Sequence, residues 1–295
     1  MSNSNNQSKV LPNKKERHIL SLSGGKDSSA LAIYMRDRNA WRQRLGKAAP
    51  TPVEKIEMEY VFCDTKEELP ETYDYLSLLE AYLGKPIHRL SDERGFQHWL
   101  KVYGNYLPSP NMRWCTRMLK LVPFEKYVGD DEVYSYVGIR ADENREGYIS
   151  HKINIKPVFP FKEDSVTRED VFRILEESGL NLPKYYEWRT RSGCYFCFFQ
   201  RKAEWVGLME NHPDLFEKAK AFEKINEETG EKYTWSQGES LVQLSRAERV
   251  EGIKAKQKKA LELEKKSRPN LPLFEILAEA LNEENDEEGC AICHL

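Results

Sequence analysis

Apolar positions along this chain change period as it proceeds. Residues 18–22 form a short apolar run, Ser-Gly-Gly follows at once, and from Ser28 to about Arg38 the apolar residues Leu31, Ile33, Tyr34 and Met35 recur at helical spacing. That order predicts a buried strand, a tight turn and a helix. Residues 39–55, with Pro50 and Pro52, read as a connecting insertion. A second strand is predicted over 56–62. Pro70 then suits a first helical turn, where its missing amide costs nothing, and Gly84 suits the left-handed residue that ends that helix. Further strands are predicted at 87–90 and 133–139. Strands alternating with helices predict an α/β fold, a doubly wound and mainly parallel sheet covered on both faces.

Beyond residue 165 the pattern becomes helical. Thr167, with Asp170 three residues on, has the form of a capping box ahead of Val171, Phe172, Ile174 and Leu175, and Gly179 closes that helix. Additional helices are predicted over 214–228, 245–266 and 273–281. The organisation expected is a disordered leader at 1–16, an α/β nucleotide-binding domain at 17–165, a helical region carrying Cys-x-x-Cys at 166–282, and an acidic, cysteine-containing tail at 283–295.

Composition narrows the function classes. The 295 residues carry 45 Lys+Arg against 48 Asp+Glu, a net charge of -3, so nothing in the bulk marks a polyanion-coating protein, although a local basic groove is compatible with it. The first seven residues lack the basic-then-apolar order of a secretory signal, and no run reaches the roughly 18 apolar residues of a membrane helix. A cytoplasmic chain with no membrane segment is expected. In a reducing compartment its six cysteines read as metal ligands or reactive thiols rather than a disulfide framework.

Chemistry concentrates in Ser23-Gly24-Gly25-Lys26-Asp27-Ser28-Ser29. Two glycines let the backbone approach an anion, the following helix adds its positive end, three hydroxyls donate, and Lys26 supplies a cation. The turn suits a polyphosphate, but it lacks the spacing of the kinase and GTPase P-loop. It resembles the pyrophosphate-binding loop of the adenine nucleotide alpha-hydrolase superfamily, whose Ser-Gly-Gly-x-Asp-Ser signature it matches at every fixed position. Downstream, Phe62-Cys63-Asp64-Thr65 followed by Leu69-Pro70-Glu71-Thr72, and Gly138-Ile139-Arg140 with Arg145 behind, resemble phosphoadenosine phosphosulfate (PAPS) reductase-like proteins over roughly residues 17–205. The resemblance implies that ATP with Mg2+ binds at Ser23–Ser29, Asp64, Gly138, Arg140 and Arg145, that Lys26 and Asp27 act catalytically, and that Asp27 or Asp64 holds the metal.

Three further cysteines, Cys115, Cys194 and Cys197, resemble the cysteine pattern of iron-sulfur adenylylsulfate reductases, except that Trp114 stands where the first Cys of the upstream pair would be. A 4Fe-4S cluster is implied, with zinc as the alternative; the fourth ligand is Cys63, Cys290 or Cys293, or one iron is open. Cys293-His294 is also similar to the terminal nucleophile of sulfonucleotide reductases, which makes Cys293 a further catalytic candidate.

Three functions follow from the resemblance. The intact loop implies ATP cleavage between the alpha and beta phosphates, adenylating an acceptor for sulfur transfer from a sulfur donor. A sulfonucleotide reductase served by a thioredoxin-like reductant is the second. A nucleotide-binding accessory subunit within a protein or nucleic-acid complex of a defence system is the third.

Overall fold

The computed structural model describes residues 15–47, 51–144, 152–225, 232–236 and 238–267. Arg145, Cys290, Cys293, the leader up to residue 14, the predicted helix at 273–281 and the acidic tail lie outside them.

Five strands, β1 (Glu16–Leu22), β2 (Met58–Cys63), β3 (Ile87–Leu90), β4 (Glu132–Tyr136) and β5 (Ile155–Val158), form one sheet in the order β3-β2-β1-β4-β5. Every pairing is parallel, so the fold is the doubly wound α/β class expected. Alternation along the strands divides the core between the two faces. Leu20, Leu22, Met58, Tyr60 and Phe62 pack on one side, while Ile19, Val61, Cys63 and Val133 pack on the other.

The first face is covered by α1 (Lys26–Arg36), α2 (Arg38–Arg44) and α3 (Pro70–Leu83). Pro70 starts α3 and Gly84 ends it at φ 67°, as the sequence predicts. The stretch read as an insertion contains α2, whose Trp41 is buried; two adjacent apolar residues, Ala40 and Trp41, in seven left its period unreadable. After α4 (Gly95–Val102), three helical stretches run end to end: α5 (Trp114–Thr116), a π-turn at Arg117–Leu121, and α6 (Val122–Val128). Leu121, Phe124 and Val128 cover the second face.

α7 (Pro160–Glu163) leads to α8 (Arg168–Glu177), which has the Thr167–Asp170 capping box and buries Val171, Ile174 and Leu175 against the same core as α1. The region beyond then builds a second core. Its helices are α9 (Lys202–Asn211), α10 (Pro213–Phe222), α11 (Leu241–Leu244) and α12 (Ala247–Ser267), with a small antiparallel pair, β6 (Lys224–Ile225) and β7 (Lys232–Tyr233). This core is aromatic: Phe96, Phe196 and Trp235 stack with ring centroids 4.2–6.3 Å apart. The helix predicted from 214 stops at Phe222, because Glu223 turns extended and its carboxylate accepts the Trp235 and Leu241 amides.

Candidate functional site

The order of the strands reverses between β1 and β4, and both run in the same direction. The crevice beyond their carboxyl ends is where ligands of open α/β sheets bind, because two loops part there. Ser23–Ser29 leaves β1 at that crevice, and Gly138–Arg140 leaves β4.

Gly24 holds φ +71°, and a Cβ there would lie 2.6 Å from a methyl carbon of Thr72, so the turn needs glycine on two counts. Gly25 caps α1 without a side chain, and a Cβ on it would lie 2.6 Å from Ser192 Oγ. Ser23 and Ser28 share a hydroxyl contact of 3.1 Å, and the Ser23 amide donates to Ser28 Oγ over the same distance. At the first turn of α1, Lys26 Nζ donates to Asp27 Oδ2 at 2.7 Å and Arg140 Nη1 donates to Asp27 Oδ1 at 2.7 Å. Two cations thus converge on one buried carboxylate at the positive end of a helix. Burial by itself would lower the Arg140 pKa, but Asp27 and Glu143 outweigh it and hold the guanidinium charged. Gly138 is required because a Cβ would come within 3.0 Å of the Asp27 carbonyl oxygen; the close approach is what brings Arg140 over the helix.

Asp64, at the end of β2, is otherwise engaged. Its Oδ1 accepts from the Lys66 amide and the Tyr73 hydroxyl, both at 2.8 Å. Ser29 is fully buried within α1.

Sequence reasoning missed the roof of the loop. Tyr185 donates its hydroxyl to the Gly24 carbonyl at 2.7 Å, the Tyr186 hydroxyl accepts from the Lys26 amide at 3.0 Å, and Ser192 Oγ donates to Ser23 Oγ at 3.1 Å. All three come from a strap about 160 residues along the chain. Only its aromatic doublet and its position just before Cys-x-x-Cys hinted at a role.

The strap ends in the thiols. Cys115, Cys194 and Cys197 line one cavity of about 40 Å³ together with Thr65 and Lys120, and none is in a disulfide. Cys194 Sγ lies 3.2 Å from Thr65 Oγ1 and donates to Glu68 Oε1 at 3.7 Å. Burial pushes the Cys194 thiol well up and the Glu68 charge adds to this, with Lys120 in partial opposition. Cys63 is elsewhere: it packs with Leu121 and Phe124 on the far face of the sheet, donates to the Lys120 carbonyl, and is pushed up to about 12 by burial. Trp114 also turns away, into the aromatic core, with its indole N–H on the Tyr106 carbonyl.

The donor types are those a thiolate-bound centre uses: three thiols, none in a disulfide, line one space, and Lys120 opposes the upward push on Cys194. Among the described residues, however, no three His, Cys, Asp or Glu side chains are gathered closely enough to hold a metal ion.

Beneath the cavity, fully buried Arg189 donates to the carbonyls of Gly193 (3.0 Å) and Cys194 (2.9 Å). Glu204, also fully buried, accepts from the Thr190 amide and hydroxyl at 2.8 and 2.7 Å. Burial favours its neutral form, but Arg191 and Arg189 prevail and hold the carboxyl below its ordinary range.

With this geometry in view, a family model described as the phosphoadenosine phosphosulfate reductase domain matches residues 17–198. The chain belongs to that family. An uncharacterized protein of Methanocaldococcus jannaschii is 30% identical over 234 residues, covering 75% of this chain and 43% of that protein. An uncharacterized nin-region protein of Escherichia phage lambda is 24% identical over 225 residues, 65% of this chain and 68% of its own. The chain spans less than half the length of two archaeal relatives that it matches. Two solved structures are similar at 14% identity. A PAPS reductase from Candida auris covers 63% of this chain and 82% of its own, at a TM-score of 0.43. A U34-tRNA thiolase from Methanococcus maripaludis with its 4Fe-4S cluster covers 73% and 72%, at 0.38. Among the described residues, no helix is long and apolar enough to cross a membrane.

Proposed function

We propose that this PAPS reductase-family chain binds ATP at the glycine loop, cleaves it between the alpha and beta phosphates, and adenylates an acceptor for sulfur transfer at the neighbouring thiols. The observation that carries the reading is the convergence of Lys26 and Arg140 on Asp27 beside Gly24 and Gly25. A bound triphosphate offers both cations better partners than Asp27 does, since guanidinium and ammonium groups bind phosphate through charge-assisted hydrogen bonds. With those cations drawn to phosphate, Asp27 would be the carboxylate to hold Mg2+, which would neutralise phosphate charge; Asp64, held by Lys66 and Tyr73, is the less suited of the two.

The step proceeds as follows. An oxygen of the acceptor forms a bond to the alpha phosphorus, loses its proton to solvent, and the bond from that phosphorus to the bridging oxygen breaks. Pyrophosphate leaves with the electron pair, and loop amides, Lys26 and Arg140 stabilise its charge. A donor carrying sulfur at the sulfide level then forms a carbon–sulfur bond at the acceptor and expels AMP. Cys115, Cys194 and Cys197 are the residues that would hold an iron-sulfur or zinc centre, which would supply a site for sulfur.

Membership of the reductase family favours a second reading, reduction of a sulfonucleotide. The two separate on products. Incubation with ATP and Mg2+ is expected to release pyrophosphate; release of sulfite from a sulfonucleotide with a dithiol reductant, and no pyrophosphate from ATP, would overturn the first reading. For the thiols, anaerobically purified protein is expected to carry iron or zinc, and Cys194→Ala to lose it. A metal-free wild type would remove the centre from the proposal.

A further inference from the structure

Two adjacent tyrosines of the strap touch the glycine loop in opposite senses. Tyr185 donates its hydroxyl to the Gly24 carbonyl at 2.7 Å, a group that a phosphate, itself an acceptor, does not bind. Tyr186 does the reverse: its hydroxyl accepts from the Lys26 amide at 3.0 Å. Lys26 is the first residue of α1, and backbone amides at the start of a helix are the groups with which such a loop holds an anion. A phosphate oxygen that is to use this amide has to take the place of the Tyr186 hydroxyl.

The donors around that amide are engaged as well. The Gly25 amide donates to Ser23 Oγ at 3.3 Å, Lys26 Nζ and Arg140 Nη1 both donate to Asp27, and Ser192 Oγ fills the space over Gly25. An anion enters this loop by exchange. Burial pushes the Tyr186 phenol up and keeps it neutral, and a hydrogen bond to a charged oxygen is about twice as strong as one to a neutral hydroxyl, so the exchange favours phosphate. The displaced ring also has a place to go. Tyr186 lines a cavity of about 810 Å³ together with Leu175, Leu182, Pro183 and Leu261, and neither Tyr185 nor any of residues 23–29 lines it.

We infer that Tyr186 is a latch on the glycine loop: it competes with phosphate for the Lys26 amide and is displaced toward that cavity when phosphate binds, while Tyr185 keeps its hold on Gly24. The inference rests on the reading that the loop holds phosphate. It adds the residue that limits how tightly.

Calorimetric titration of the full chain with inorganic pyrophosphate and Mg2+ tests it. Tyr186→Phe is expected to bind about three- to tenfold more tightly than wild type, the worth of one neutral hydrogen bond. Tyr185→Phe is expected to show no gain. Melting temperatures near that of wild type show that the variants fold. A second measurement needs no variant: on wild type, added pyrophosphate should slow hydrogen–deuterium exchange across residues 23–29 and quicken it across residues 184–188.

Unchanged or weaker binding by Tyr186→Phe would overturn the inference and make Tyr186 a support of the loop. Equal tightening by Tyr185→Phe would also overturn it, because loosening the strap at any point would then suffice. Slower exchange across both segments would do the same. The two proposals fail separately. If wild type takes neither ATP nor pyrophosphate at about 5 mM, well above the Kd of a millimolar site, the adenylation reading is lost; pyrophosphate binding by Tyr186→Phe then keeps the latch, and no binding by either ends both. A wild type that cleaves ATP, with Tyr186→Phe binding pyrophosphate no more tightly, keeps the adenylation reading and loses the latch.

Discussion

The glycine loop and the thiol cavity stand side by side at one edge of the sheet, yet they are built differently. The loop is seven consecutive residues between a strand and a helix, seated on the core of the sheet's first face, and its essential contacts are set by local backbone geometry at Gly24 and Gly25. The cavity draws Thr65, Cys115, Lys120, Cys194 and Cys197 from three separate segments over an aromatic core. What joins them is the strap from Tyr185 to Cys194, which roofs the loop at its start and carries a thiol at its end. A site assembled in this way can transmit a change at the glycine loop to the thiols through one short piece of chain.

The sharpest way to break that link is Arg189→Met. It removes a buried cation that holds the Gly193 and Cys194 carbonyls and sits near the buried charge of Glu204. The expected loss of stability is about 3–5 kcal/mol, read from denaturant unfolding, with ATP affinity and thiol-bound metal falling together. If one site survived intact, the strap would not be what unites them.

Lys26→Ala separates the regions. It should weaken ATP binding by about 1.5–3 kcal/mol, the worth of a charge-assisted hydrogen bond, measured by calorimetry, and leave metal content at the thiols unchanged. Unaltered affinity would remove the loop from nucleotide binding.

A smaller effect concerns Glu67, whose carbonyl accepts the Tyr195 amide where the strap meets the end of β2. Burial raises its carboxyl from an ordinary value near 4.5 to about 7. The folded chain therefore holds a proton that the unfolded chain releases. The stability associated with it is complete below about pH 4.5 and declines as pH rises to 7, by about 1–2 kcal/mol once solvent screening of this half-buried group is allowed for. Glu67→Gln should flatten the dependence of stability on pH across that window; an unchanged profile would show that Glu67 titrates normally.

Much of the loop region was readable from residue order. A run of apolar residues, two glycines and a helical period occur within twenty positions, and local sterics leave such a sequence few conformations. The strand at 87–90, the Pro70 and Gly84 boundaries and the Thr167 cap were legible for the same reason. β5 and α9 were not. Ile155–Val158 is four residues with a proline, and Lys202–Asn211 buries Glu204 and Gly207 among its apolar residues, so neither shows a clean period. Cys63 shows the limit from another side: its sequence neighbours mark the site, but strand alternation turns its own side chain to the opposite face.

By itself, the order of amino acids determined the α/β class, the turn that can approach an anion, and the residue types available for phosphate and thiolate chemistry. Each of these depends on neighbours a few positions away. Only the tertiary structure decided that Arg140 reaches Asp27, that Tyr185, Tyr186 and Ser192 close over the glycines, and that Cys194 and Cys115 share a cavity while Cys63 does not. Those contacts span more than 70 residues, and they form because the core under the sheet's first face and the aromatic core beyond it bury their surfaces and fix the segments between them.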